Sequence, residues 1–209
     1  MISKFRHHPW HGIDPGNQAP SVVNAFIEIT PNDGVKYEID KTSGYLMIDR
    51  PQLYSNIVPA LYGFIPMTYC GALVSEVCMI RTGRTGIDGD GDPLDILVLT
   101  EKNITHGDIL VRAKAVGGIR MIDNNEADDK IIAILEDDLI YNHWNDLSDL
   151  PDSLINRLKH YFLTYKQIPN LHERSTVDID EIYGREAAFE VIEAAIEDYQ
   201  NWVRIQSNI

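Results

Sequence analysis

Residues 87–99 read IDGDGDPLDILVL, with Asp88, Asp90, Asp92 and Asp95 falling within eight positions, just ahead of an aliphatic run. Like charges this close repel one another, so the cluster is costly unless something offsets it. A calcium loop of the EF-hand kind does not fit: its sixth position, normally Gly, is Pro93, and its twelfth, normally Glu, is Leu99. A solvated acidic turn is the plainer alternative, since Asp and Gly are common turn residues. Two features favour chemistry. Gly89 and Gly91 let the backbone bend so that side chains converge, and Asp95 opens the apolar run itself. Oxygen donors on a bent loop are the set that hard divalent cations take, Mg2+ in particular.

A second acidic group, DNNEADDK at 123–130, carries Asp123, Glu126, Asp128 and Asp129 and ends in Lys130. Cations occur at telling places. Lys36 and Glu38 share one face of an alternating segment, Arg50 ends the next, Lys130 begins another, and Lys166 follows Tyr165 on a helical stripe. Singly, each reads as a solvated face, and Tyr165 as core. Together with two carboxylate clusters they describe a pocket for a polyanion that brings divalent metal. Arg meets phosphate with a planar fork, Lys with a point charge. That combination points to phosphoryl chemistry, in which metal ions and positioning carry most of the catalysis.

The elements that must position these residues follow from periodicity. SVVNAFIEIT alternates as a half-buried strand, and VKYEIDKTSGYLMIDR reads as a hairpin turning at Lys41–Gly44. Residues 66–86 form a mixed excursion, with a short strand expected at 76–81. Three further strands are expected at 94–100, 108–122 and 130–136, the middle one bent at Gly117–Gly118. If these three are antiparallel neighbours, two reversals return the 123–130 loop to the end of the sheet where 88–95 lies. Pro151 then starts a helix whose stripe is Leu154, Ile155, Leu158, Tyr161, Phe162, Tyr165 and Ile168, stopped by Pro169. A last helix follows Gly184, with Ala188, Val191, Ile192, Ala195, Ile196, Tyr199, Trp202 and Val203 on one face and Glu186, Glu190, Glu193 and Glu197 on the other. Strands first and helices last predict an α+β fold with an antiparallel barrel.

The chain has 209 residues, 44% of them hydrophobic, which suits one domain spanning 1–209. Its net charge of −14 repels nucleic-acid phosphates and anionic lipid, so neither is an expected partner. Apolar runs fall far short of the roughly 20 residues a membrane span needs, and MISKFRHHPW has no apolar signal core. Cys70 and Cys78 are expected to be reduced thiols in a cytoplasmic protein, because no spacing supplies the further ligands of a zinc site. A non-catalytic barrel that binds oligonucleotides would instead show basic stripes with exposed aromatics.

DGDPLD at 90–95 followed by ILVL resembles the signature of the soluble family I inorganic pyrophosphatases. FIEITP, KYEID, IDR, YGFIP, the Asp123-x4-Asp128-x-Lys130 pattern and the Tyr165–Lys166 pair occur in that family's order, from about Glu28 to Lys166. The resemblance implies a closed five-stranded antiparallel OB-type barrel with flanking C-terminal helices. It implies Mg2+-dependent hydrolysis of pyrophosphate to two phosphates by in-line attack of an activated water. It implies Asp90, Asp95, Asp123 and Asp128 as metal ligands and Asp92 as the acid/base residue. Lys36, Arg50, Tyr62, Lys130, Tyr165 and Lys166 would bind phosphate, with Glu28 and Glu38 as supporting carboxylates. It also implies a homo-oligomer, a hexamer being favoured. Three departures stand out: a longer 66–86 segment holding both cysteines, Arg81 and Arg84; Asn124 where an acid is common; and a less basic QIPNLHERSTVD after Lys166. Arg81 and Arg84 are candidates either for the pocket or for the surface.

Overall fold

The computed structural model describes residues 6–167 and 177–206. Strand β1 (Val22–Ile29) pairs antiparallel with β4 (Leu61–Phe64) and with β7 (Ile109–Asp123). β4 pairs antiparallel with β6 (Asp95–Leu99), β6 pairs parallel with β9 (Lys130–Leu135), and β9 pairs antiparallel with β7. The ladder therefore runs β1–β4–β6–β9–β7 and back to β1, a ring through five strands. It is mixed rather than wholly antiparallel. β7 lies beyond β9 instead of between β6 and β9, so the two reversals leave β9 running in the direction of β6. The same reversals set Asp95 opposite Lys130 and bring the two acidic segments to one end of the sheet.

β6 and β9 are buried on both faces, which is why they read as continuous apolar runs. Ile96, Val98, Ile131 and Ala133 join one cluster with Val191, Ile192 and Ala195; Leu97, Leu99, Ile132 and Ile134 join another with Leu158 and Phe162. These helical residues belong to α2 (Asp152–Thr164) and α3 (Arg185–Gln206), each turning an apolar stripe to the core, although Val203, expected on that face of α3, is exposed near the helix end. Ile168 and Pro169 lie outside the described residues. The bend in β7 is a register shift between Ala115 and Gly117.

Outside the ring, β2 (Val35–Ile39) and β3 (Leu46–Pro51) form the expected hairpin as a separate two-stranded sheet, with Gly44 at φ +72°. β5 (Asp88–Gly89) pairs parallel with β8 (Glu126–Ala127), tying the two acidic segments together. β10 (Val177–Gly184) lies antiparallel on β7.

The strand expected at 76–81 is instead part of a helix, α1 (Ala72–Thr82). Val74 and Cys78, four positions apart, face the core, and Gly83 ends the helix in the left-handed region. Its N-terminus is capped from afar: the carboxylate of Asp198 on α3 accepts the backbone N–H groups of Gly71, Leu73 and Val74 at 3.0–3.1 Å. No local sequence signal announces such a cap. Among the described residues no helix is long and apolar enough to cross a membrane.

Candidate active site

The acidic loop is seated on the segment that precedes α1. Cys70 donates its N–H to the Asp92 carbonyl at 2.8 Å, Gly91 donates to the Cys70 carbonyl at 3.0 Å, and Leu94 donates to the Thr68 hydroxyl at 2.9 Å. Gly91 has φ +75°, and a Cβ on Gly89 would stand 2.3 Å from the Cys70 carbonyl oxygen. Gly91 supplies the expected bend, whereas Gly89, in the short strand Asp88–Gly89, is required by close approach to the Cys70 backbone. Asp88 is exposed and lies outside the cavity that the neighbouring aspartates line. Cys70 and Cys78 are free and buried, serving α1 and the loop as packing residues.

One cavity of about 340 Å³ is lined by all thirteen expected site residues: Glu28, Lys36, Glu38, Arg50, Tyr62, Asp90, Asp92, Asp95, Asp123, Asp128, Lys130, Tyr165 and Lys166. The β2–β3 hairpin supplies one wall, where Lys36 and Arg50 are cross-strand partners. Lys36 bonds to Glu38 and lies 3.4 Å from Asp49, which also bonds to Arg50. The loop before β6 and the turn after β7 supply the floor. The end of α2 supplies the far wall, where Tyr165 stacks on Tyr161 with ring centroids 5.3 Å apart.

At the floor Lys130, 3% exposed, bonds to both Asp95 and Asp128. Tyr62 donates its hydroxyl to Asp95 at 2.5 Å, and Lys166 meets Asp123 at 2.5 Å. Burial opposes the charge on Lys130, but Asp128 and Asp95 outweigh it and raise its pKa. Burial pushes the Asp90 carboxyl up to about 8, with the Asp128 charge adding to it. Burial likewise pushes Glu28 up to about 8, although its carboxylate accepts the Ile39 N–H at 2.8 Å and so ties β2 to β1. These are carboxylates waiting for positive charge.

The cavity also contains residues that sequence reasoning did not select: Lys41, Asp49, Glu126 and Tyr161. Lys41 projects from the hairpin turn and bonds to Asp92. Its signal was weak, since a lysine in a turn normally points to solvent. Arg81 and Arg84 do not line the cavity. Arg81 pairs with Glu190, and Arg84 with Asp178 at 2.6 Å and Asp180 at 3.0 Å, all on exposed surface. Asn124 and Asn125 adopt φ of 51° and 65° in the two-residue turn joining β7 to β8, a conformation asparagine tolerates.

Nine carboxylates line this cavity against five cationic side chains. The acids are oxygen donors of the type that hard divalent ions prefer, and their repulsion is what such ions would relieve. Lys130 and Lys166 stand among them, and among the described residues no three acids already close on one point as a metal cage. The donor set fits a hard divalent cation in chemistry and in charge.

A strand ring whose mouth interleaves carboxylates with phosphate-type cations defines an enzyme of phosphoryl chemistry. The family model for inorganic pyrophosphatase matches residues 25–200. The inorganic pyrophosphatase of Chlamydia muridarum is 51% identical over 93% of this chain and 94% of its own length. Soluble inorganic pyrophosphatase 4 of Arabidopsis thaliana is 37% identical over 97% and 86%. The crystal structure of the Thermus thermophilus inorganic pyrophosphatase superposes with a TM-score of 0.77, at 29% identity, over 93% of this chain and 99% of that one. The chain belongs to the inorganic pyrophosphatase family, the hydrolases of inorganic pyrophosphate.

Proposed function

We propose that this chain hydrolyses pyrophosphate to two phosphates in a Mg2+-dependent, in-line reaction, with Asp92 as the acid/base residue. The observation that carries the reading is the cavity's excess of carboxylates over cations. Pyrophosphate is itself a polyanion and would be repelled by that excess, so it must arrive with divalent cations. Asp90, Asp95, Asp123 and Asp128 hold those ions. Bound Mg2+ supplies Lewis acidity toward water and neutralises phosphate charge. Asp92, on a loop seated by backbone hydrogen bonds, takes the proton of the attacking water. Lys36, Arg50, Lys130, Tyr165 and Lys166 hold the two phosphoryl groups in line, with Tyr62 orienting Asp95 as well as reaching substrate. Glu38 keeps Lys36 in place, and Glu28 holds the hairpin against β1. Lys41 neutralises Asp92 until substrate enters.

The same reading makes the ring a closed OB-type barrel, residues 1–209 one domain, and the protein a cytoplasmic homo-oligomer, as a hexamer. The test is phosphate release from pyrophosphate with and without Mg2+. Release that needs Mg2+ and stops with chelator is expected. No release across a scan of pH and divalent metals would end the proposal.

A further inference from the structure

Asp128 and Lys130 both line the cavity, whereas Asp129 between them points the other way, into the protein. There it meets an unusual layer. Arg120 of β7 is the largest fully buried side chain, at 0% exposure, and Asp129 is 2% exposed. Arg120 Nε lies 3.9 Å from an Asp129 carboxylate oxygen, and the Tyr183 hydroxyl donates to the same oxygen at 3.1 Å. The guanidinium sits over the Tyr183 ring, 4.6 Å from its centroid. The ring also lies against Gly118, its cross-strand partner, where a Cβ would approach within 2.4 Å. Gly118, Tyr183 and Arg120 therefore form a stack that aims two groups at Asp129. The outer end of Arg120 is fixed by Glu181 at 2.5 Å.

We infer that the Arg120–Tyr183–Asp129 cluster is a positioning device that holds the Asp128–Lys130 segment so that both flanking side chains face the substrate. This rests on the pyrophosphatase reading of the cavity. The argument is energetic and geometric. A buried pair with imperfect contact is a poor source of stability, since apolar side chains of the same volume usually do as well or better. Here Nε and Nη2 of Arg120 and one oxygen of Asp129 make no hydrogen bond among the described residues. What the pair does supply is direction. Asp128 and Asp129 lead directly into β9, and with Asp129 anchored inward its two neighbours, Asp128 and Lys130, both line the cavity. Ile119, next to Arg120, is the register partner of Lys130, so the anchor acts within one residue of the site.

The test is the double variant Arg120→Met/Asp129→Asn, which removes both charges and leaves Tyr183 an acceptor. Its thermal midpoint should stay near the parent's, while kcat falls about tenfold or more. Inorganic phosphate, titrated calorimetrically, should bind several-fold more weakly, because Lys130 is no longer aimed. A folded double variant with parental kcat and parental phosphate affinity would overturn the inference. Should the double variant not fold, Tyr183→Phe decides: it removes one hydrogen bond from Asp129 and should lower kcat about threefold at an unchanged midpoint, and a parental kcat would overturn the inference. A parent that releases no phosphate would count against the functional reading alone, since phosphate affinity still reports where Lys130 points.

Discussion

Asp95 and Lys130 are register partners that open the parallel strands β6 and β9, and Lys130 bonds from there to both Asp95 and Asp128. The sheet thus presents a lysine among carboxylates at the cavity by pairing alone, with no loop needed to carry it. Rigid placement of this kind suits a group that must neutralise charge without reorganising.

Lys130→Met should therefore be severe in two ways. It leaves Asp95 and Asp128 without their buried partner, which costs about 3–5 kcal/mol of stability. Turnover should fall at least about a hundredfold. Divalent cations would take over part of the lost compensation, so Mg2+ should raise the variant's thermal midpoint by more than the parent's. Equal Mg2+ responses in the two proteins would separate Lys130 from the acids proposed to bind metal.

Asp92→Asn should keep the fold and Mg2+ binding while losing about 10²–10⁴-fold in kcat. The residue is half exposed and makes its ion pair with Lys41, so no buried structure depends on its charge. Near-parental turnover would remove Asp92 from proton transfer. Calorimetric Mg2+ titration alongside the assay separates a lost base from a lost ion.

That the thirteen candidate residues would share one cavity was legible because acids, cations and glycines in this order have few structural explanations together, although many singly. β6 and β9 were legible from their apolar runs, and β7 from partial alternation interrupted by Gly117–Gly118. What escaped was fixed by partners distant in sequence. α1 read as mixed because its cap, Asp198, lies over 120 positions away. β10 was not anticipated, because the charges of DIDE on an edge strand mask its alternation. The parallel β6–β9 pair could not be read from alternation, which reports faces and not neighbours. Lys41 looked like an ordinary turn lysine until the hairpin placed it over Asp92.

Gly89→Ala tests whether the acidic loop depends on its seat. The added methyl would meet the Cys70 carbonyl oxygen at 2.3 Å, and that oxygen is backbone held by the Gly91 N–H. Neither side can yield without moving Asp90 or Asp92. The expected outcome is a loss of about 1–3 kcal/mol in urea unfolding, with a larger relative loss in kcat. Full activity in a stable variant would show that the loop tolerates displacement.

Acid should erase one specific contribution to stability. Asp146 caps the 3-10 turn Leu147–Asp149 and also accepts the first N–H of α3, from Arg185 at 2.8 Å. The Arg185 amide, followed by the Ser148 amide and hydroxyl, holds its carboxyl below the ordinary range. A lowered native pKa means the benefit is fully present above the unfolded carboxylate value, roughly 3.9, and is lost as pH falls through the native value. Asp146→Ala should therefore cost about 1 kcal/mol near neutrality, and the gap between parent and variant should narrow as pH falls below the unfolded carboxylate value and through the lower native one. Denaturant midpoints of both proteins at neutral and acid pH measure it. A gap that stays constant or widens in acid would mean that the cap acts through packing rather than through the carboxylate charge.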